Sequence, residues 1–228
     1  MPVELSESTA WKVPPGKTMR PGGFTITEQM FTRCPLPPRA RVLDMGCGVA
    51  ATLNYIKSRF ALDGYGLDQT ADLLHEASSA LPHLRLAQGQ AEHLPIRSEC
   101  MDAVIAECTL SIFQTEAALA EAARVLKCDG YLLASDMYVR NENDLDPLHR
   151  LPPDSYIHHT LTQARIQEKV AAAGFQMVAW QDCSDQLKKI PYNTPFIGKS
   201  VDPFDFLLAA TRARLGYYFL VARKVSNG

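Results

Sequence analysis

Asp44, Gly46, Cys47 and Gly48 stand together in "RVLDMGCGVAATLNYI", residues 41–56, where an apolar run ends in a carboxylate and two glycines follow it. The glycines permit a turn that other residues enter with strain. A helix starting just after them leaves its first N–H groups free to face a ligand. With Ala51 the glycines read as G-x-G-x-x-A, and Asp68 ends the next apolar run, "GYGLD", where an acid can accept from ribose hydroxyls. Asp44 separates the nucleotides that could sit there. A pyrophosphate about 5 Å from it would be repelled by roughly 3 kcal/mol at an effective dielectric of 20. A ligand without phosphate and with positive charge gains from the same acid, and S-adenosylmethionine, with an ammonium and a sulfonium, is such a ligand.

Other residues could meet such a ligand or its reaction partner. Glu107 ends the run "MDAVIAE", and Cys108 follows it. Gln90 and Ala91 stand in "AQGQAEHLP"; the Gln90 side-chain carbonyl can accept from an exocyclic amine. Tyr138 lies past a fifth apolar run, placed to line an acceptor pocket. His158 and His159 are adjacent, so an extended chain would point them to opposite sides; one of them could act as a general base, while a metal shared between them is not expected. The catalytic candidates are therefore Tyr138, His158 and Glu107. Cys47 and Cys108 are also readable as small packed residues, Asp44 as a cap of the turn and Asp68 as a helix N-cap.

These side chains need a scaffold that gathers strand ends. From residue 40 apolar β-branched runs alternate with helical periodicity, the pattern of βαβ units. Strands are expected at Arg41–Asp44, 64–68, Leu84–Gln88, Met101–Glu107, Tyr131–Met137, 175–180 and 217–224. One helix carries Val49, Leu53, Ile56 and Phe60, the next Leu73, Leu74, Ala77 and Leu81, and a third runs from about Thr115 to the turn "CDG". A capping box of Thr160 and Gln163 should open a later helix, with Gly174 ending it and Asp202–Pro203 starting the last. The fold class is α/β: a Rossmann-like seven-stranded sheet, mostly parallel, with the last strand antiparallel and helices on both faces. Residues 1–38, rich in proline and glycine, form a lead-in or cover with one short helix near Thr27–Arg33, and Trp11 is placed to fold over the ligand. The domain proper spans 39–228, and residues 139–159 and 190–202 are irregular, lid-like insertions.

"VLDMGCGVA" resembles motif I of class I S-adenosylmethionine-dependent methyltransferases. "GYGLDQT" resembles their second motif, "AQGQAEHLPIRSECMDAVIAE" their "G-D-A-x-x-L-P-F" stretch and fourth strand, and "EAARVLKCDGYLLASDM" their "E-x-x-R-V-L-K-P-G-G" helix, turn and fifth strand. The likeness runs over residues 40–180, with "YYFLVARK" similar to the family's antiparallel final strand. It implies S-adenosyl-L-methionine as cofactor, lying across the ends of strands one, two and four. Asp44, Gly46, Cys47, Gly48, Asp68, Gln69, Gln90, Ala91 and Glu107 would be its binding residues. It also implies an in-line displacement at the sulfonium methyl. Two positions depart from the pattern: Ala50 stands where motif I has its third glycine, and Gln90 where the adenine-binding acid is usual.

The 228-residue chain can bury a core without disulfides, and its net charge of −2 lacks the basic footprint of a nucleic-acid binder. The six cysteines form no C-x-x-C pair, so no metal site is expected. No signal peptide or membrane span is legible, and a soluble cytoplasmic protein is the expectation. The partner is expected to be a small-molecule methyl acceptor, with no nucleic acid and no membrane; its identity and the oligomeric state are not readable. Two other readings stay open: a nucleotide-dependent oxidoreductase with a degenerate Rossmann turn, and a non-catalytic S-adenosylmethionine-binding protein.

Overall fold

The computed structural model describes residues 18, 20–189 and 200–225. Seven strands form one sheet: β1 (Arg41–Met45), β2 (Asp63–Asp68), β3 (Arg85–Gln88), β4 (Met101–Glu107), β5 (Leu126–Tyr138), β6 (Phe175–Asp182) and β7 (Gly216–Lys224), in the order β3-β2-β1-β4-β5-β7-β6. The pairs from β3 to β5 are parallel, and β7 runs antiparallel between β5 and β6. The apolar runs of β1 and β4 are buried nearly throughout because helices cover both faces. On one face lie α1 (Gly23–Phe31), α2 (Ala51–Phe60) and α3 (Ala71–Ala80), contributing Ile26, Leu53, Ile56 and Leu74 to the core. On the other lie α4 (Thr115–Val125) and α6 (Gln163–Ala172), contributing Leu119, Ala122, Ile166 and Val170 at one-face spacing.

Four local expectations shift. The lead-in helix is α1, beginning at Gly23 rather than near Thr27. The turn "CDG" does not precede the fifth strand but lies inside it. β5 pairs Leu126 with Met101 and Tyr131 with Ala103, so five residues oppose two, and Asp129 takes the left-handed conformation that lets the excess loop out. The cap of α6 is Thr162, whose hydroxyl accepts from the Arg165 amide at 3.3 Å; Thr160 lies inside, its hydroxyl without a partner. His158 and His159 do not point apart. Their segment turns, and the two rings meet edge to face at 4.8 Å between centroids. Gly174 at φ +86° ends α6, and Asp202 caps α7 (Pro203–Arg212) through the amides of Phe204 and Asp205.

Residues 139–159 hold a 3-10 turn at Glu142–Asp144 and a short helix, α5 (Asp146–His149). Leu148, Leu151, Tyr156 and Ile157 are buried, so the segment is packed although the sequence shows no period there. Trp11 and residues 190–199 lie outside the described residues. Among the described residues no helix is long and apolar enough to cross a membrane.

Candidate functional site

Strand register gathers the carboxyl groups. Asp44 on β1 pairs with Gly66 on β2 and with Ile105 on β4. Asp68 and Glu107 each lie two residues further along their strands. Side chains alternate faces with period two, so Asp44, Asp68 and Glu107 share the face that α1 and α2 cover, at the carboxyl ends of adjacent strands. All three are buried. Burial, followed by the nearby Glu107 carboxylate, pushes the Asp44 carboxyl up to about 8; Arg20 opposes the shift and Asp68 adds to it.

Glu107 is the most heavily bonded of the three. It accepts from Thr27 of α1 at 2.8 Å and from Thr52 of α2 at 2.9 Å, and its Oε2 lies 2.9 Å from the guanidinium of Arg20. The carboxylate expected to face a ligand thus also ties the lead-in to the sheet. Phe24 stacks on Tyr55 at 4.1 Å and Tyr55 donates to Glu28, which fixes α1 on α2.

The glycine turn is closed largely upon itself. The amides of Gly46 and Cys47 donate to the Leu67 carbonyl, at 2.7 and 3.0 Å. The Gly48 amide donates to Asp68 Oδ2 at 2.8 Å, and the Thr70 amide to Oδ1 at 2.9 Å. Asp68 therefore serves the turn and the start of α3 together, with one lone pair left on each oxygen. The two glycines differ. Gly46 sits at φ +78° with Thr109 so close that a Cβ would lie 2.5 Å from its Cγ2, whereas Gly48 at φ +50° has nothing within 4 Å of such an atom. The turn is tight beneath Gly46 and open above Gly48. Cys47 is buried, its sulfur packed against Gly66, and burial pushes its thiol well above the usual range.

Gln69, Gln90 and Ala91 follow the ends of β2 and β3. The Gln69 carbonyl accepts from Gln88 at 3.0 Å, Gln90 is exposed and Ala91 is buried. Of the catalytic candidates, Glu107 is itself one of the three carboxyl groups, whereas Tyr138 and His158 make their contacts elsewhere. Ser135 is in register with Glu107, so Met137 shares its face and Tyr138 takes the opposite one. There Tyr138 donates to Asp182 at 2.8 Å and packs edge-on against Trp180 and Tyr218. His158 is held through Nδ1 by the Leu151 carbonyl at 2.8 Å, between the rings of His149 and His159. Among the described residues no group of histidines, cysteines and acids could hold a metal ion.

Several participants carry no legible motif. Arg20, Thr27 and Thr52 converge on Glu107. Beyond β4, the Cys108 sulfur lies 3.2 Å from the Tyr217 hydroxyl, which donates to Ser135 at 3.0 Å, and burial holds the thiol above its ordinary range. Asp136 is buried and accepts from Tyr156 at 2.6 Å, from the Ser111 amide at 2.9 Å and from its neighbour Met137 at 2.8 Å. Face parity along "YLLASDM" was the one available signal for Ser135 and Asp136.

Residues 43–134 match the family model described as "Methyltransferase domain". The uncharacterized methyltransferase YodH of Bacillus subtilis is 30% identical over 117 residues, half of each chain. The chain spans about half the length of the curated relatives it matches. Among solved structures, the [4+2]-cyclase SpnF superposes with a TM-score of 0.71 at 21% identity, over 95% of this chain and 86% of that one. Phosphoethanolamine N-methyltransferase 2 of Haemonchus contortus, solved with phosphomonomethylethanolamine and S-adenosylhomocysteine, gives 0.70 at 18%, over 92% and 55%.

Proposed function

We propose that this chain, which carries the class I methyltransferase domain, binds S-adenosyl-L-methionine and transfers its methyl group to a small-molecule acceptor. The observation that carries the reading is the set of three carboxyl groups, Asp44, Asp68 and Glu107, on one sheet face above a glycine turn open at Gly48. That set fits the cofactor. Asp68 retains acceptor capacity for ribose hydroxyls, and Asp44 and Glu107 favour a ligand carrying ammonium and sulfonium. Gly46, Cys47 and Gly48 form the floor, while Gln69, Gln90 and Ala91 stand on the adenine side. A buried thiol at Cys47 adds bulk without charge. Fold likeness extends to a cyclase, so the activity is argued from the site and not from the fold.

When bound, the cofactor supplies a methyl group on a sulfonium, already an excellent leaving group. The protein's work is then alignment and exclusion of water. Asp44 and Glu107 orient the cationic end, and α1, pinned on Glu107 and Tyr55, covers it. Residues 139–159, fastened at Asp136 by Tyr156, form the acceptor-side cover. Neither Tyr138 nor His158 stands with the carboxyl groups, so the reading assigns no general base to them.

Calorimetry against S-adenosylmethionine, S-adenosylhomocysteine and NADH tests the cofactor, and formation of S-adenosylhomocysteine with a panel of small acceptors tests the transfer. Micromolar binding of both sulfur compounds and much weaker binding of NADH are expected. Tighter binding of NADH would overturn the reading in favour of a nucleotide-dependent oxidoreductase. Binding without turnover on any acceptor would favour a non-catalytic S-adenosylmethionine-binding protein.

A further inference from the structure

Arg20 is a buried cation with work left undone. Its side chain is 10% exposed, and one terminal nitrogen serves both Thr27, at 2.6 Å, and Glu107, at 2.9 Å. Its Nε–H is buried and has no partner. A charged donor left unpaired out of water is costly, so native structures hold few of them. This one is not isolated. Among the described residues six buried side-chain atoms lack partners, and three of them, Thr18 Oγ1, Arg20 Nε and Gln29 Oε1, belong to the segment that leads into and forms α1. That segment covers the carboxyl face of the site.

The site needs such a donor. A ligand that is an amino acid at one end carries a carboxylate beside its ammonium. Asp44, Asp68 and Glu107 favour the ammonium and repel the carboxylate. The glycine turn cannot compensate fully, because the amides of Gly46, Cys47, Gly48 and Ala50 already donate to Leu67, Asp68 and Cys47. Among the described residues Arg20 is the cation paired with Glu107, and its free N–H is suited to a carboxylate oxygen.

Resting on the cofactor reading above, we infer that Arg20 is the binding residue for the amino-acid carboxylate of the cofactor. The Arg20–Glu107 pair then forms a zwitterion clamp, with the guanidinium toward the carboxylate and the Glu107 carboxylate toward the ammonium. The clamp makes the site select ligands that keep an intact α-amino acid. It also couples cofactor binding to the seating of the α1 segment, since Arg20 is held by Thr27 from within that helix.

The test compares three probes by calorimetry: S-adenosylhomocysteine, its decarboxylated analogue, which keeps the ammonium, and 5′-methylthioadenosine, which lacks both. Wild type should bind S-adenosylhomocysteine at least 30-fold more tightly than the decarboxylated analogue. In Arg20→Gln that gap should shrink below threefold, with 5′-methylthioadenosine affinity within twofold of wild type, and Arg20→Lys should recover part of the gap. A purely structural Arg20 would weaken all three probes together, and that result overturns the clamp, as does a gap that survives in Arg20→Gln. The wild-type comparison needs no variant to fold: equal affinity for the first two probes also overturns it while leaving the cofactor reading intact. A wild type that binds none of the three probes defeats the cofactor reading and the clamp together.

Discussion

The Asp68 carboxylate reaches across from the end of β2 and accepts the amide of Gly48 at 2.8 Å. Its second oxygen accepts the amide of Thr70, so one side chain closes the glycine turn and starts α3. Asp68→Ala removes both acceptors from a buried position. It should lower stability by about 1–3 kcal/mol and weaken S-adenosylhomocysteine binding by roughly 2–4 kcal/mol. Asp68→Asn, which keeps one acceptor oxygen, should lose less stability than Ala. Denaturant titration beside calorimetry checks both, and unchanged stability in Asp68→Ala would show that these two bonds contribute nothing to the fold.

The two glycines of the turn should respond unequally. Alanine at Gly46 meets Thr109 at 2.5 Å in a left-handed backbone, so Gly46→Ala combines steric overlap with conformational strain and should cost about 3 kcal/mol or more. Gly48→Ala faces open space and should cost only about 1–2 kcal/mol for its backbone. Ala50, at φ +59°, shows that the turn already tolerates a methyl in that conformation. Thermal melts of the two variants side by side decide, and equal losses would contradict the structure.

Asp44 makes stability and binding depend on pH in opposite directions. Its folded pKa of about 8 lies above the ordinary carboxylate value, so between roughly pH 4 and 8 the folded state holds a proton that the unfolded state has released. Its contribution to stability is full below about pH 4 and declines as pH rises toward 8. Asp44→Asn should remove that slope, so its stability relative to wild type should rise progressively from pH 5 to pH 8. A bound cation favours the ionised carboxyl. S-adenosylmethionine affinity should therefore rise with pH up to about 8, by at most about tenfold per unit, with uptake of the released proton by buffer. Calorimetry in buffers of different ionisation enthalpy measures that proton, and a pH-independent affinity would contradict the assignment.

Tyr156 donates to Asp136 at 2.6 Å from within residues 139–159. Tyr156→Phe leaves a buried carboxyl, already pushed above its ordinary pKa by burial, with backbone donors alone. A loss of about 1–3 kcal/mol is expected. Hydrogen exchange should quicken in residues 139–159 while the glycine turn keeps its protection. Uniform quickening across the sheet would show that the bond supports the whole domain and not the segment.

Local patterns in the chain carried the strands and their order of appearance. Apolar β-branched runs mark β1, β4 and β7, one-face spacing marks α2 and α4, and Asp202–Pro203 marks the start of α7, because each depends on neighbours within a few residues. The glycine turn and the acids at the strand ends were legible for the same reason. Pairing decided the rest. Tyr138 looked suited to the acceptor pocket until register with Glu107 put it on the opposite face, and one residue of parity is enough to do that. His158 and His159 came together because the chain turns there, and residues 139–159 are packed although they show no period, since their apolar side chains meet other elements and not one another along a helix. Arg20, Thr27 and Thr52 are ordinary residues in sequence. Arg20 and Thr27 reach Glu107 because α1 and the residues before it fold back over β4, a contact across 80 residues for Thr27 that no local signal encodes, and Thr52 reaches it from α2.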